Sequence, residues 1–223
     1  MSNPPFRRAL LVKAKGKLTT LEQAEVQEKR NVLSRRITAF VELRNLYMPA
    51  LGELADGSQT SSTIQPEATP LRLPSSLPAT SRTIICSSTL IDTECRIRLA
   101  QADDSLCELR RLLRVTRGLW QYKFKQIGPS QRVTTRARAL INRFNEKTVR
   151  CANRYRQAYS ALLALDPNGN WKSRLQPLHD DDVKGPGKED DEAEGTRQLS
   201  WIWLVERNGD AASAEEGEVT DSL

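Results

Sequence analysis

The sequence predicts an all-α fold: a long antiparallel helical hairpin of coiled-coil type, with a third helix and with disordered linker and tail segments. Two observations carry this prediction. Between Thr89 and Leu165, apolar or small residues recur in two series. The first is Cys95, Leu99, Ala102, Leu106, Leu109, Leu113, Thr116 and Trp120, and the second is Ala137, Ile141, Phe144, Thr148, Cys151, Tyr155, Ala158, Leu162 and Leu165. Both step alternately by four and three residues, the period at which two helices stay in contact along their length. One strong break, Gly128-Pro129, separates them, so the second arm folds back along the first.

Taken in order, residues 1–18 read as a flexible basic arm. Thr19-x-x-Glu22 is a capping box, in which a hydroxyl and a carboxylate satisfy free backbone N–H groups at a helix start. A helix over 19–51 follows, with Leu33, Ile37, Phe40, Tyr47 and Leu51 in heptad step, interrupted by Arg44. Gly52 and Gly57 stop it. Of the 36 residues from 52 to 87, 16 are Ser, Thr or Pro, and four prolines fall between Pro66 and Pro78. A stretch of that composition buries too little apolar area to offset its ordering entropy, so 52–87 reads as a disordered linker.

The hairpin occupies 88–178. Thr89-x-x-Asp92 opens its first arm, and Ser130 or Thr134 caps its second. Asp166-Pro167-Asn168-Gly169 ends the second arm, and a short helical turn from Trp171 to Leu178 folds back on the pair. Residues 179–223 form an acidic, largely disordered tail with one apolar island at 199–204, Leu199-Ser200-Trp201-Ile202-Trp203-Leu204. Two tryptophans in a solvated tail need a surface to cover them, and this chain's own helices are the preferred one.

The formal net charge of +6 hides an asymmetry. Residues 1–165 carry 28 Lys and Arg against 13 Asp and Glu, and residues 166–223 carry 6 against 15, so the two parts stand at +15 and −9. Between Arg110 and Arg156 there are 14 basic residues and one acid, Glu146. Like charges this dense repel, which calls for a counter-charge. Phosphate backbone, bound by counterion release, is one source. The acidic segment Asp180 to Glu194 is the other, and a solvated basic coat is the plain alternative. The candidate nucleic-acid contacts are Arg110, Arg111, Arg114, Arg117, Lys123, Lys125, Arg136, Arg138, Arg143, Lys147, Arg150 and Arg154. The candidate interaction seam, offered to a second copy or to another helical protein, is Leu99, Leu106, Leu109, Leu113, Trp120, Ile141, Phe144, Tyr155 and Leu162.

No enzyme is expected. Cys86, Cys95, Cys107, Cys151 and the single His179 lack zinc-site spacing, so neither a metal nor a cofactor is expected. The acidic clusters Asp180-Asp181-Asp182 and Glu189 to Glu192 lie in a tail, without the rigid elements that a two-metal site requires. Gly185-Pro186-Gly187 lacks the strand and helix of a phosphate loop. No apolar run approaches a membrane span.

Several segments carry a resemblance by their order along the chain. They are Arg44-x-x-Tyr47-Met48-Pro49, Leu109 to Val115, Thr135-Arg136-Ala137-Arg138, Tyr155-Arg156-x-Ala158, Leu165-Asp166-Pro167-x-Gly169-x-Trp171, Asp182-Val183-x-Gly185 and Leu199 to Trp203. Over about 35–204 the chain resembles the helical C-terminal region of fungal KDZ (Kyakuja–Dileera–Zisupton) transposase-type proteins. The resemblance implies DNA transposition by a carboxylate-based core and cysteine-rich zinc-binding segments upstream in full-length members. Neither is present in this sequence, so it implies a non-catalytic, truncated or domesticated remnant. The partner expected on these grounds is DNA or RNA backbone, and the location intracellular and nuclear. The alternative is a coiled-coil interaction or oligomerisation module with no nucleic-acid role.

Overall fold

The computed structural model describes residues 19–51, 65–126, 131–186 and 199–205. Among these residues the fold is all-α, with no strand and with two long helices packed together. Two compact units divide the chain, Met1–Cys95 and Arg96–Leu223.

In the first unit, helix α1 runs Thr20–Tyr47 and starts at the capping box. The Thr19 N–H donates to Glu22 Oε2 at 2.9 Å, and the Glu22 N–H donates to Thr19 Oγ1 at 3.4 Å. The helix ends four residues short of the expected Leu51. Pro49 excludes the helical conformation from the residue before it, and Met48 sits at φ −136°, ψ 66°. One further turn then brings Leu51 beside Met48, Ile85 and Cys86 in a small apolar cluster.

The expected linker is a correction. Residues 52–64 lie outside the described residues, but 65–87 are folded. Two 3-10 turns, Pro66–Ala68 and Pro74–Ser76, each begin on a proline, whose fixed φ suits a first helical position. Helix α2, Ala79–Ile85, follows. Three polar anchors hold this stretch. Glu67, fully buried, takes a two-pronged ion pair from Arg30 of α1 at 2.6 and 3.0 Å. Ser75 donates to Glu94 through both its N–H, at 2.9 Å, and its hydroxyl, at 2.6 Å. The buried Arg82 donates to the carbonyl oxygens of Pro74 and Leu77, both at 2.9 Å. Charge-assisted bonds of this kind supply what the apolar content lacks.

Helix α3, Ser88–Gln126, and helix α4, Gln131–Leu165, form the hairpin. Ser105 and Cys151, each 23 residues from Gly128, touch through Cys151 Sγ and the Ser105 carbonyl at 3.1 Å. Equal distances from the connection mean that the arms run antiparallel. In the second unit Ala102, Leu106, Leu109, Leu112 and Leu113 of α3 pack on Cys151, Ala152, Tyr155, Ala158 and Leu162 of α4.

Beyond α4 the chain closes this core. Asp166 to Gly169 forms the expected stop, and an added Cβ at Gly169 would collide with the Asp166 carboxylate and the Trp171 ring. The expected helical turn is a 3-10 turn, Asn170–Ser173, followed by an extended path that buries Leu175 and Leu178. Trp171 stands edge-on to Tyr159, with centroids 5.3 Å apart. Arg174 grips Asp103 of α3 through two bonds at 2.5 and 2.8 Å.

The tail is folded in part. Residues 187–198 and 206–223 lie outside the described residues. The segment 180–186 starts with a 3-10 turn, Asp180–Asp182, and the apolar island forms another, Trp201–Trp203. Ile202 is fully buried in the hairpin core, and Trp201 packs on Tyr155 at 5.8 Å between centroids. The preferred expectation, that the tryptophans dock on this chain's own helices, matches this arrangement.

Candidate nucleic-acid interface

The basic residues between Arg110 and Arg156 divide into two sets according to what faces them. On α3, the steps of four and three place Arg110, Arg114 and Arg117 along one edge of the buried face. The C-terminal segments meet that edge, where Arg110 and Arg117 are half-buried and Arg114 stays exposed. Arg110 donates to the carbonyl oxygens of Ile202 and Val205, and Arg117 donates to the carbonyl oxygen of Pro186 at 2.7 Å. The Arg114 guanidinium sits 5.2 Å above the Trp203 ring, whose Nε1 donates to the Lys184 carbonyl at 3.0 Å. From α4, Arg156 donates to the Leu178 carbonyl at 2.8 Å and pairs with Asp180 at 2.5 Å. A planar fork of five donors suits clustered carbonyls as well as it suits phosphate. These arginines hold the C-terminal segments on the hairpin, which the charge count alone does not distinguish from a phosphate-binding role.

The second set is open. Arg136, Arg143, Lys147, Arg150 and Arg154 follow one another at steps of seven, four, three and four, so they share a stripe of α4 beside its buried face. All five are exposed, and none has a carboxylate within ion-pair distance among the described residues. Lys147 lies 5.2 Å from the Phe144 ring centroid, and Arg150 Nε reaches the Glu146 carbonyl at 3.3 Å. Arg138 is exposed on another side of the helix.

Across the seam from this stripe sits Glu108 of α3, whose nearest partner is Arg111, through two bonds of 2.7 Å. The Arg111 hydrogen bond, and after it the nearby positive charges of Arg111, Arg154 and Lys147, hold the Glu108 carboxyl below the usual carboxylate range. The same pairing raises Arg111. The open face therefore comprises the α4 stripe and Arg111, with one acid set among them. The side chains of Lys123 and Lys125 lie outside the described residues.

The candidate seam is mostly internal. Leu106, Leu109, Leu113, Ile141, Tyr155 and Leu162 are buried, and Leu99 and Phe144 are half-buried. Trp120 departs from the expectation: it is exposed, because the covering segments 171–178 and 199–205 pack on the half of the hairpin around Leu106 to Leu113. Five residues of this core fell outside the seam series: Leu112, Ala152, Leu175, Leu178 and Ile202. Leu112 widens the α3 stripe beyond a two-position seam, as a covered hairpin requires.

Burial pushes the Cys151 thiol up to about 11 and the Tyr155 phenol further above its ordinary range. Tyr155 donates to the Gln176 carbonyl at 2.7 Å, so both groups serve packing. Among the described residues no three His, Cys, Asp or Glu side chains gather as metal ligands, and no helix is long and apolar enough to cross a membrane.

Comparisons of the chain with family models, with curated proteins and with solved structures find no match.

Proposed function

We propose that the chain is a non-catalytic helical module that binds nucleic-acid backbone through the open stripe of α4 and Arg111. The observation that carries this reading is the exposure of Arg136, Arg143, Lys147, Arg150 and Arg154 along one line, without a carboxylate partner among the described residues. Five cations at helical spacing repel one another when nothing answers them, and a polyanion removes that cost by releasing its own counterions. Contacts of this kind position a protein on a duplex and carry no base information, so the binding is sequence-tolerant. The resemblance to the helical region of KDZ transposase-type proteins supports the same reading, with the chain as a remnant of a transposon-encoded protein and a nuclear location following from its partner.

The two arginine sets make the proposal testable. Replacing Arg143, Lys147, Arg150 and Arg154 together by Gln removes binding to a fluorescent random duplex at physiological salt. Replacing Arg117 by Gln, half-buried with its guanidinium on the Pro186 carbonyl, leaves it nearly unchanged. The reverse result assigns binding to the α3 edge and overturns the proposal. The alternative reading, a coiled-coil module built on the hairpin seams, loses support because Leu106, Leu109, Leu113, Tyr155 and Leu162 are already buried within the chain's own hairpin.

A further inference from the structure

Helix α1 is 28 residues long, yet it fully buries only Val26 and Leu33, with Ile37 half-buried beside them. A helix with so little covered surface draws little stability from packing, and packing rather than propensity is what usually holds a helix. Its other side is apolar at both ends. Leu21 is 74% exposed, Leu43 58%, Leu46 77% and Tyr47 68%. At 100° per residue, Leu21, Glu25, Glu28, Val32, Arg36, Ala39, Leu43 and Leu46 lie along one line, with steps of four, three, four, four, three, four and three.

The charges on this line are ordered. Glu25 and Glu28 occupy its first half, with Lys29 at the margin against Glu25. Arg35 and Arg36, both exposed, occupy its second half, with Glu42 at the far margin. Beside a parallel copy, glutamates would meet glutamates and arginines would meet arginines. Beside an antiparallel copy centred on Val32, position 21 meets 43, position 28 meets 36, and 32 meets itself. Leucine then covers leucine at each end, Glu28 faces Arg36 twice, and Glu25 faces Ala39 with Arg35 and Arg36 diagonal to it, over about 33 Å.

We propose that α1 pairs with α1 of a second copy of this chain, antiparallel and centred on Val32. This surface is separate from the hairpin seam and from the basic stripe of α4, and the pairing stands whether or not the nucleic-acid reading does. Such charge patterns specify the direction of pairing as well as the partner.

Sedimentation equilibrium of the full chain tests the pairing. The mass of wild type is expected to rise with concentration from 25.1 kDa toward twice that value. E25K/E28K makes the whole face basic and R35E/R36E makes it acidic, so each variant alone is expected to stay monomeric at concentrations where wild type pairs. Their equimolar mixture is expected to regain the doubled mass, and raising salt is expected to weaken that hetero-pair. A wild type that stays monomeric at every concentration overturns the proposal. So does a charge-reversed variant that pairs as well as wild type, and so does a mixture that stays monomeric.

Discussion

Arg110 of α3 donates through Nε to the carbonyl oxygen of Ile202, 92 residues further along the chain, and the Ile202 side chain is fully buried in the hairpin core. An arginine that looks like a phosphate contact in the sequence thus closes the C-terminal segment onto the helices. The segment is a working part of the core: it takes up the Arg110 guanidinium and sets the Trp203 ring beside Arg114, while the Pro186 carbonyl takes up Arg117.

The closure has a measurable stability. Ile202→Ala removes a buried branched side chain and leaves a cavity beside Leu109 and Tyr155, at a cost of about 2–5 kcal/mol. Urea denaturation followed by circular dichroism should show the midpoint fall. A midpoint equal to that of wild type would mean that the island does not pack on the hairpin.

The ordered state of 65–87 depends on Glu67 in the same way. Glu67→Ala leaves Arg30, itself mostly buried, without its carboxylate. Breaking one side of a buried pair costs about 3–5 kcal/mol. The expected outcome is fast amide exchange and early proteolytic cleavage between residues 65 and 87, with α3 and α4 still protected. Unchanged protection of that stretch would show that the ion pair does not hold it.

These two sites mark the boundary of what the sequence makes legible. The hairpin was readable because its stripe repeats over many turns of α3 and α4, so a single exception such as Trp120 leaves the pattern intact. The capping box at Thr19 and Glu22 and the stop at Asp166 to Gly169 were readable because each is local. The fold of 65–87 was not, because composition averages over the stretch while its order rests on a few pairings at long separation, Arg30 with Glu67 and Ser75 with Glu94. Four regularly spaced prolines read as disorder, yet Pro66 and Pro74 start turns and Pro78 caps helix α2. The division of the arginines was equally hidden. Carbonyl and phosphate oxygens both suit a guanidinium, and only the fold tells which is within reach.

Alkaline pH should weaken the fold. Burial raises the Cys151 thiol to about 11, and burial first, then Tyr155's neighbour Tyr159, raises the phenol. Above the ordinary thiol range of about 8.5 the unfolded chain has released the Cys151 proton while the folded chain still holds it. The folded state then binds more protons, so stability falls as pH rises. The contribution is fully present below about 8.5 and is lost as pH climbs through about 11. Denaturation midpoints measured across this window should decline, and Cys151→Ala should flatten part of the decline. An identical slope in the variant would show that Cys151 titrates no differently in the two states.

The central claim is that an open line of cations on α4 binds phosphate backbone. The most direct test is the salt dependence of the affinity of the full chain for a random DNA duplex, measured by fluorescence anisotropy. For roughly five phosphate contacts, log affinity should fall against log salt with a slope of about −4 to −5. The variant with Arg143, Lys147, Arg150 and Arg154 changed to Gln keeps Arg136 and Arg111, so it should retain a slope of about −2 at most. An affinity independent of salt, an absence of binding at low salt, or a slope unchanged in the variant would contradict the claim.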